Sequence, residues 1–162
     1  MNTTIKTKPF EFLRLTSLGV IGALVKNESA EVVNFLLGTE IVPLCLKVME
    51  SGNDLSKTVA IFIVQKILLD NYGLSYICQS DQRLLAILEH LDLMLNQNAE
   101  AGGSRMVKHA VRCYLRLTED SRGLRLLKTR YPRELFDDST FDKIKDDPLS
   151  AKFIQEIKVR IN

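Results

Sequence analysis

Three leucines at matching places fix the kind of fold this chain can adopt. Leu24, Leu68 and Leu115 stand 44 and then 47 residues apart. Four residues before each is a valine (Val20, Val64, Val111), and nine residues after each is another aliphatic (Val33, Ile77, Leu124). Around them apolar residues recur mostly at three- and four-residue steps, the period of a helix face. A long helix, a sharp polar break, a short helix and a further helix therefore come round repeatedly. No alternation of polar and apolar residues is long enough for a useful strand. A helical unit of this size cannot bury its apolar face alone, so it must stack on its neighbours.

A period in the forties made only of helices is the signature of armadillo or HEAT repeats. The expected fold is all-α, an armadillo-type solenoid of about three to four repeats, with an irregular helical bundle as the alternative. The spacing predicts long helices over 10–26, 56–70 and 105–118, which in such arrays line the concave surface. Gly38 is a plausible stop for a turn over 31–37, and Pro43 suits the first turn of a helix over 42–49. The loop "SGND" (51–54) precedes Ser56, a candidate cap, and "DNYG" (70–73) breaks the long helix. Helices near 74–79, 82–96, 122–130 and 150–160 complete the reading. Residues 1–162 form one domain, with 134–162 as a polar helical cap at its C-terminal end.

Function classes fall away on composition. No run of 18 or more apolar residues exists, so no membrane span is expected. "MNTTIKTKPF" has no apolar core and is no signal peptide. Cys45, Cys78 and Cys113 are scattered and odd in number, which suits buried free thiols in a reducing compartment. His90 and His109 have no Cys or His at ligand spacing, so no metal and no cofactor is expected. Ser17 lacks a nucleophile elbow. Gly19 and Gly22 lie inside a helix with no G-K-[ST] after them, so they form no phosphate loop. They read as close helix packing, or Gly19 leaves room for a ligand backbone. The acidic pairs Asp137–Asp138 and Asp146–Asp147 read as solvated. An enzyme is not expected.

Charge is unevenly spread. The chain carries a net +2, yet residues 104–133 hold nine Lys or Arg against Glu119 and Asp120. On an ideal helix Arg105, Lys108, Arg112 and Arg116 fall within about 80° of arc, and His109 widens it to about 100°. A solvated face usually mixes signs; this stripe has no acid before Glu119. It is an outer face, the wall of a peptide groove or a nucleic-acid contact. Few aromatics adjoin it, which weighs against single-stranded nucleic acid. Its place on a long helix favours the concave groove, where charge reversal at Arg112 and Arg116 is expected to impair binding and leave the fold intact.

Longer segments are more specific. "PFEFLRLTSLGVIGALVK" (9–26), "EIVPLCLKVMESG" (40–52), "LSKTVAIFIVQKILLD" (55–70), "GLSYICQ" (73–79), "KHAVRCYLRL" (108–117) and "LKTRYP" strongly resemble the Cell differentiation family, the armadillo-repeat subunit of the Ccr–Not mRNA deadenylase complex. The match runs over nearly the whole chain, in order and at compatible spacing. Family members carry further repeats before "PFEFLRLTSLG", so the chain is expected to correspond to the C-terminal part of that domain. Helix 10–26 would then expose a face open to self-association.

The resemblance implies a non-catalytic recruitment platform. It implies docking on the scaffold subunit of the complex and capture of linear motifs of mRNA-regulatory proteins, in the cytosol and P-bodies or in the nucleus. It places Gly19 in the helix of a peptide groove. It places Arg83 and Arg122 beside one tryptophan pocket, and Leu55 and Thr58 near another. A basic concave surface of the family has also been read as nucleic-acid binding. One departure stands out: after "ICQ" the family has a Thr-Tyr pair, where this chain reads Ser80-Asp81-Gln82-Arg83. Losing that tyrosine, with Asp81 free to pair with Arg83, predicts weakened tryptophan capture there.

Overall fold

The computed structural model describes residues 19–24, 26, 30–96 and 103–162. The predicted first helix lies mostly outside these residues; 19–24 are helical. The helices that follow are α1 (Ala30–Leu37), α2 (Ile41–Ser51), α3 (Asp54–Leu69), α4 (Asn71–Cys78), α5 (Asp81–Asn96), α6 (Gly103–Leu117) and α7 (Ser121–Thr129). A 3-10 turn (Arg133–Phe136), α8 (Asp138–Lys143) and α9 (Pro148–Ile161) close the chain. No strand occurs among the described residues, and no single helix there is long and apolar enough to cross a membrane.

The helices stack in layers, as an all-α helical-repeat solenoid requires. α3 packs on α6 and α6 on α9, so the long helices form one layer. α2, α5 and the 3-10 turn form a second, and α1 packs on α4. Between the layers runs a continuous core, with Ile61, Ile67, Leu68, Ile87, Leu91, Val111, Tyr114 and Ile157 fully buried. The three cysteines belong to it as free thiols. Burial pushes the Cys45 thiol up to about 12, which keeps it protonated and inert. Tyr114 satisfies its buried hydroxyl by donating to Asp92, whose other carboxylate oxygen meets Arg130 at 3.4 Å.

The breaks between units are built twice in the same way. Asp70 caps α4 by accepting from the Gly73 amide at 2.9 Å. Asp120 caps α7 by accepting from the Arg122 and Gly123 amides at 2.8 and 3.2 Å. The glycines are needed because each new helix starts hard against the end of the last. A Cβ on Gly73 would stand 2.0 Å from the Ile67 carbonyl oxygen, and one on Gly123 2.3 Å from that of Leu117. This pairing corrects the repeat register. Gly73 answers Gly123 and Ile67 answers Leu117, so Leu68 corresponds to Thr118 and not to Leu115. Burial agrees: Leu117 and Leu127 are buried where Leu115 and Leu124 are only partly so.

Other local expectations shift too. Asn53, not Ser56, caps α3; its side chain accepts from the Ser56 amide at 2.8 Å. "DNYG" does break the long helix: Asp70 stands between α3 and α4, and Asn71 to Gly73 begin α4. The tail is more than a polar cap. Ile154, Ile157 and Ile161 are buried, and α9 extends the layer of long helices beyond α6. α6 therefore lies between two long helices.

Candidate docking site

A cavity of about 430 Å³ opens between the α1–α2 connection and helices α4 and α5. Leu37, Val42, Pro43, Leu46 and Ala86 give it an apolar wall, and Thr39, Glu40, Gln82 and Arg83 its polar groups. Tyr76 supplies an aromatic side. The Arg83 guanidinium carbon lies 4.0 Å from the Tyr76 ring centroid, and its Nη1 donates to the Tyr76 carbonyl at 3.1 Å. Arg83 thus turns to Tyr76, and the ion pair offered by Asp81 is not formed. A guanidinium held over a phenol ring by a second bond to the main chain presents a weakly hydrated group to whatever enters.

Arg122 does not line this cavity, yet it ends nearby. Its Nη1 donates to the Gln79 carbonyl at 2.7 Å, just past the end of α4. Both arginines therefore sit at the C-terminal end of one short helix, where cations complement the dipole. Leu55 and Thr58 belong elsewhere, in the first turns of α3; Leu55 is exposed, while Thr58 is buried and donates to the Asp54 carbonyl at 2.8 Å. Among the described residues nothing lies within 4 Å of a Cβ on Gly19, whereas one on Gly22 would face Val59 and Phe62 of α3. Of the residues expected beside the two tryptophan pockets, Arg83 and Arg122 meet at the end of α4, while Leu55 and Thr58 lie at the start of α3. Sequence reasoning missed Tyr76, Pro43 and Glu40 because the cavity forms between units, where no single helix carries a signal.

The cationic stripe of α6 is largely consumed by the fold. Arg116 has a side chain only 16% exposed. It donates to the Leu68 carbonyl at 2.7 Å, the Leu69 carbonyl at 3.2 Å and Asn71 Oδ1 at 2.8 Å, and it pairs with Glu119. It is a clasp on the end of α3. Lys108 Nζ lies 3.7 Å from Asp146. Arg112 donates to the Lys108 carbonyl and has its guanidinium carbon 5.7 Å from the Phe153 ring centroid on α9. Arg105 alone of the four is exposed without such a contact. The stripe expected to form a bare groove wall is thus stitched to both neighbouring helices.

His109 sits among these cations. Its Nδ1 meets Gln65 Oε1 at 2.5 Å, and its ring meets Phe62 edge-on at 5.6 Å. Burial first, then Arg112, Arg105 and Lys66, lower its pKa to about 4. The folded state therefore holds His109 neutral where the unfolded chain would protonate it. Its contribution is complete above pH 6.5 and is lost as pH falls towards 4, a loss of up to about 3 kcal/mol. Thermal unfolding should show a falling midpoint between pH 7 and 5, and His109→Gln should flatten that slope. An unchanged slope would remove His109 from the account.

A sequence profile of the Cell differentiation family, Rcd1-like, matches residues 1–161. The chain belongs to the Cell differentiation family. It is 51% identical over 162 residues to the cell differentiation protein rcd1 of Schizosaccharomyces pombe, covering all of this chain and 57% of that protein. It is 49% identical over 163 residues to protein CAF40 of Saccharomyces cerevisiae, covering 44% of that protein. The chain thus spans about half the length of these curated relatives. The expected family is shown; the roles of individual residues rest on the geometry above.

Proposed function

We propose that the chain is a non-catalytic adaptor of the Ccr–Not mRNA deadenylase complex. It docks on the scaffold subunit and holds side chains of short motifs from mRNA-regulatory proteins, in the cytosol and P-bodies or in the nucleus. The cavity beside Tyr76 and Arg83 carries this reading. It is larger than one aromatic side chain, mostly apolar, and has Glu40 to accept an indole N–H. The neutral His109, engaged with Gln65, and the protonated Cys45 also favour binding over catalysis.

Magnitudes set what the motif must be. An aromatic side chain buries about 200 Å² and gains about 5 kcal/mol at 25 cal/mol per Å². That alone is close to millimolar before ordering costs. A micromolar motif therefore needs a second contact, for which the exposed Leu55 is available. Titration of a tryptophan-containing peptide, followed by amide NMR, should shift Tyr76, Arg83 and Ala86. Ala86→Phe, which fills the cavity, should weaken binding at least about tenfold. Shifts confined to other surfaces, or binding indifferent to Ala86→Phe, would count against the cavity. Pull-down with the helical docking segment of the scaffold tests the other half.

A further inference from the structure

One end of the cavity beside Tyr76 carries charge that the fold does not use. α2 and α5 begin at Ile41 and Asp81 and pack side by side. Pro43 and Arg83 both wall the cavity, and seven residues further along each helix Glu50 meets His90 at 3.8 Å. The two helices therefore run parallel, with partners 40 residues apart in sequence. That offset sets Glu40 level with Ser80 and one residue from Asp81, at the end of the cavity where both helices start. Both carboxylates are exposed, and among the described residues neither has an ion-pair or side-chain hydrogen-bond partner. The cations are placed otherwise. Arg83 is held by the ring and the carbonyl of Tyr76, and Arg122 by the Gln79 carbonyl. Lys47 stands two turns along α2 from Glu40, towards the other end, where Glu50 and His90 meet.

This division limits what can flank a side chain lodged in the cavity. An aromatic anchor between Pro43, Leu46 and Ala86 leaves its neighbours in the motif at the mouth. A neighbour on the side where the helices start meets two carboxylates with no partner. The nearest guanidiniums already donate to carbonyls, and they can turn to an acid only by giving up those bonds. A lysine or arginine is drawn in there, and an acid is repelled. Charged rims of this kind choose partners more than they add affinity. Each exposed pair is worth about two- to fivefold, so two together decide between rival motifs. We propose that Glu40 and Asp81 make this cavity select motifs whose aromatic anchor is flanked by lysine or arginine. The inference rests on the cavity being a motif site and adds which motifs that site takes.

The chain contains no tryptophan, so the indole fluorescence of a peptide reports its binding directly. Three tryptophan peptides, identical except for lysine, glutamine or glutamate on both sides of the anchor, are titrated at about 50 mM salt. The lysine peptide should bind at least about tenfold more tightly than the glutamate peptide, with the glutamine peptide between them. The gap should close to within about twofold near 0.5 M salt, where charges are screened beyond about 4 Å. The double variant Glu40→Gln, Asp81→Asn should erase the gap at low salt as well. The matched control Asp138→Asn, Asp142→Asn removes the same charge from two exposed acids of α8 and should preserve it. Equal affinities for the three peptides would overturn the proposal and leave the cavity as a motif site. So would tighter binding of the glutamate peptide, which would give the choice to Arg83 and Arg122, or a gap that survives in the Glu40→Gln, Asp81→Asn variant. If the glutamine peptide binds no differently after Ala86→Phe, the cavity itself falls, and this inference with it.

Discussion

Gly73→Ala should destabilise the protein by about 3 kcal/mol or more and lower its thermal midpoint by roughly 10 °C. The cause is contact and not backbone conformation. The added Cβ would meet a carbonyl oxygen at 2.0 Å and the carbonyl carbon of the same residue at 2.9 Å, both main-chain atoms of Ile67. Neither can swing aside as a side chain would, so α4 must lift from the end of α3. Gly123→Ala repeats the experiment one unit on, with the Leu117 oxygen at 2.3 Å, and should behave alike. Gly19→Ala is the control, since no described residue lies within 4 Å of its Cβ position. Calorimetry that finds Gly73→Ala within about 2 °C of the parent would refute this account of the breaks.

The second large effect falls on Arg116. Arg116→Met keeps the stem but deletes every hydrogen bond to the end of α3. Charge-assisted bonds to the open carbonyls at a helix end are the strong kind, worth about 1.5–3 kcal/mol each before relaxation and rehydration. A net loss of about 3 kcal/mol is expected, read as a lower urea midpoint. Arg112→Glu should cost under about 1 kcal/mol, because its guanidinium only bonds its own helix and approaches Phe153. Two arginines one turn apart on the same stripe thus have unlike roles. If Arg116→Met unfolds no more readily than Arg112→Glu, the clasp has been misread.

The contrast shows what a sequence of this kind discloses. The recurring leucines were enough for helices that stack, because burial demands the same residue types at every level. They were too coarse for register. A slip of three residues is nearly one helical turn, so Leu115 stands close to the direction of Thr118, the true counterpart of Leu68, and periodicity cannot separate them. The tail seemed polar because its buried isoleucines are spaced out among charges, although the spacing from Ile154 to Ile157 to Ile161 is that of a buried stripe. The cations of α6 did share one side of their helix. What lay on either side of that helix was hidden, since it depends on α9 and on the exposed carbonyls where α3 ends. Arg83 and Arg122 came from resemblance; the cavity that Arg83 lines and Arg122 does not, with its aromatic side Tyr76, needed the structure.

One more feature extends beyond this molecule. Arg160 donates to Thr118 Oγ1 at 2.9 Å, at the end of α6, much as Arg116 reaches the end of α3. Lys143 donates to the Leu95 carbonyl at 3.0 Å, again reaching to the unit before. Each fastening is addressed to the storey below and to no other. A chain wired in this way can gain or lose a whole storey by duplication or deletion, and the remaining joints keep their instructions unchanged. The breadth of surface on offer then becomes something a lineage can adjust by counting.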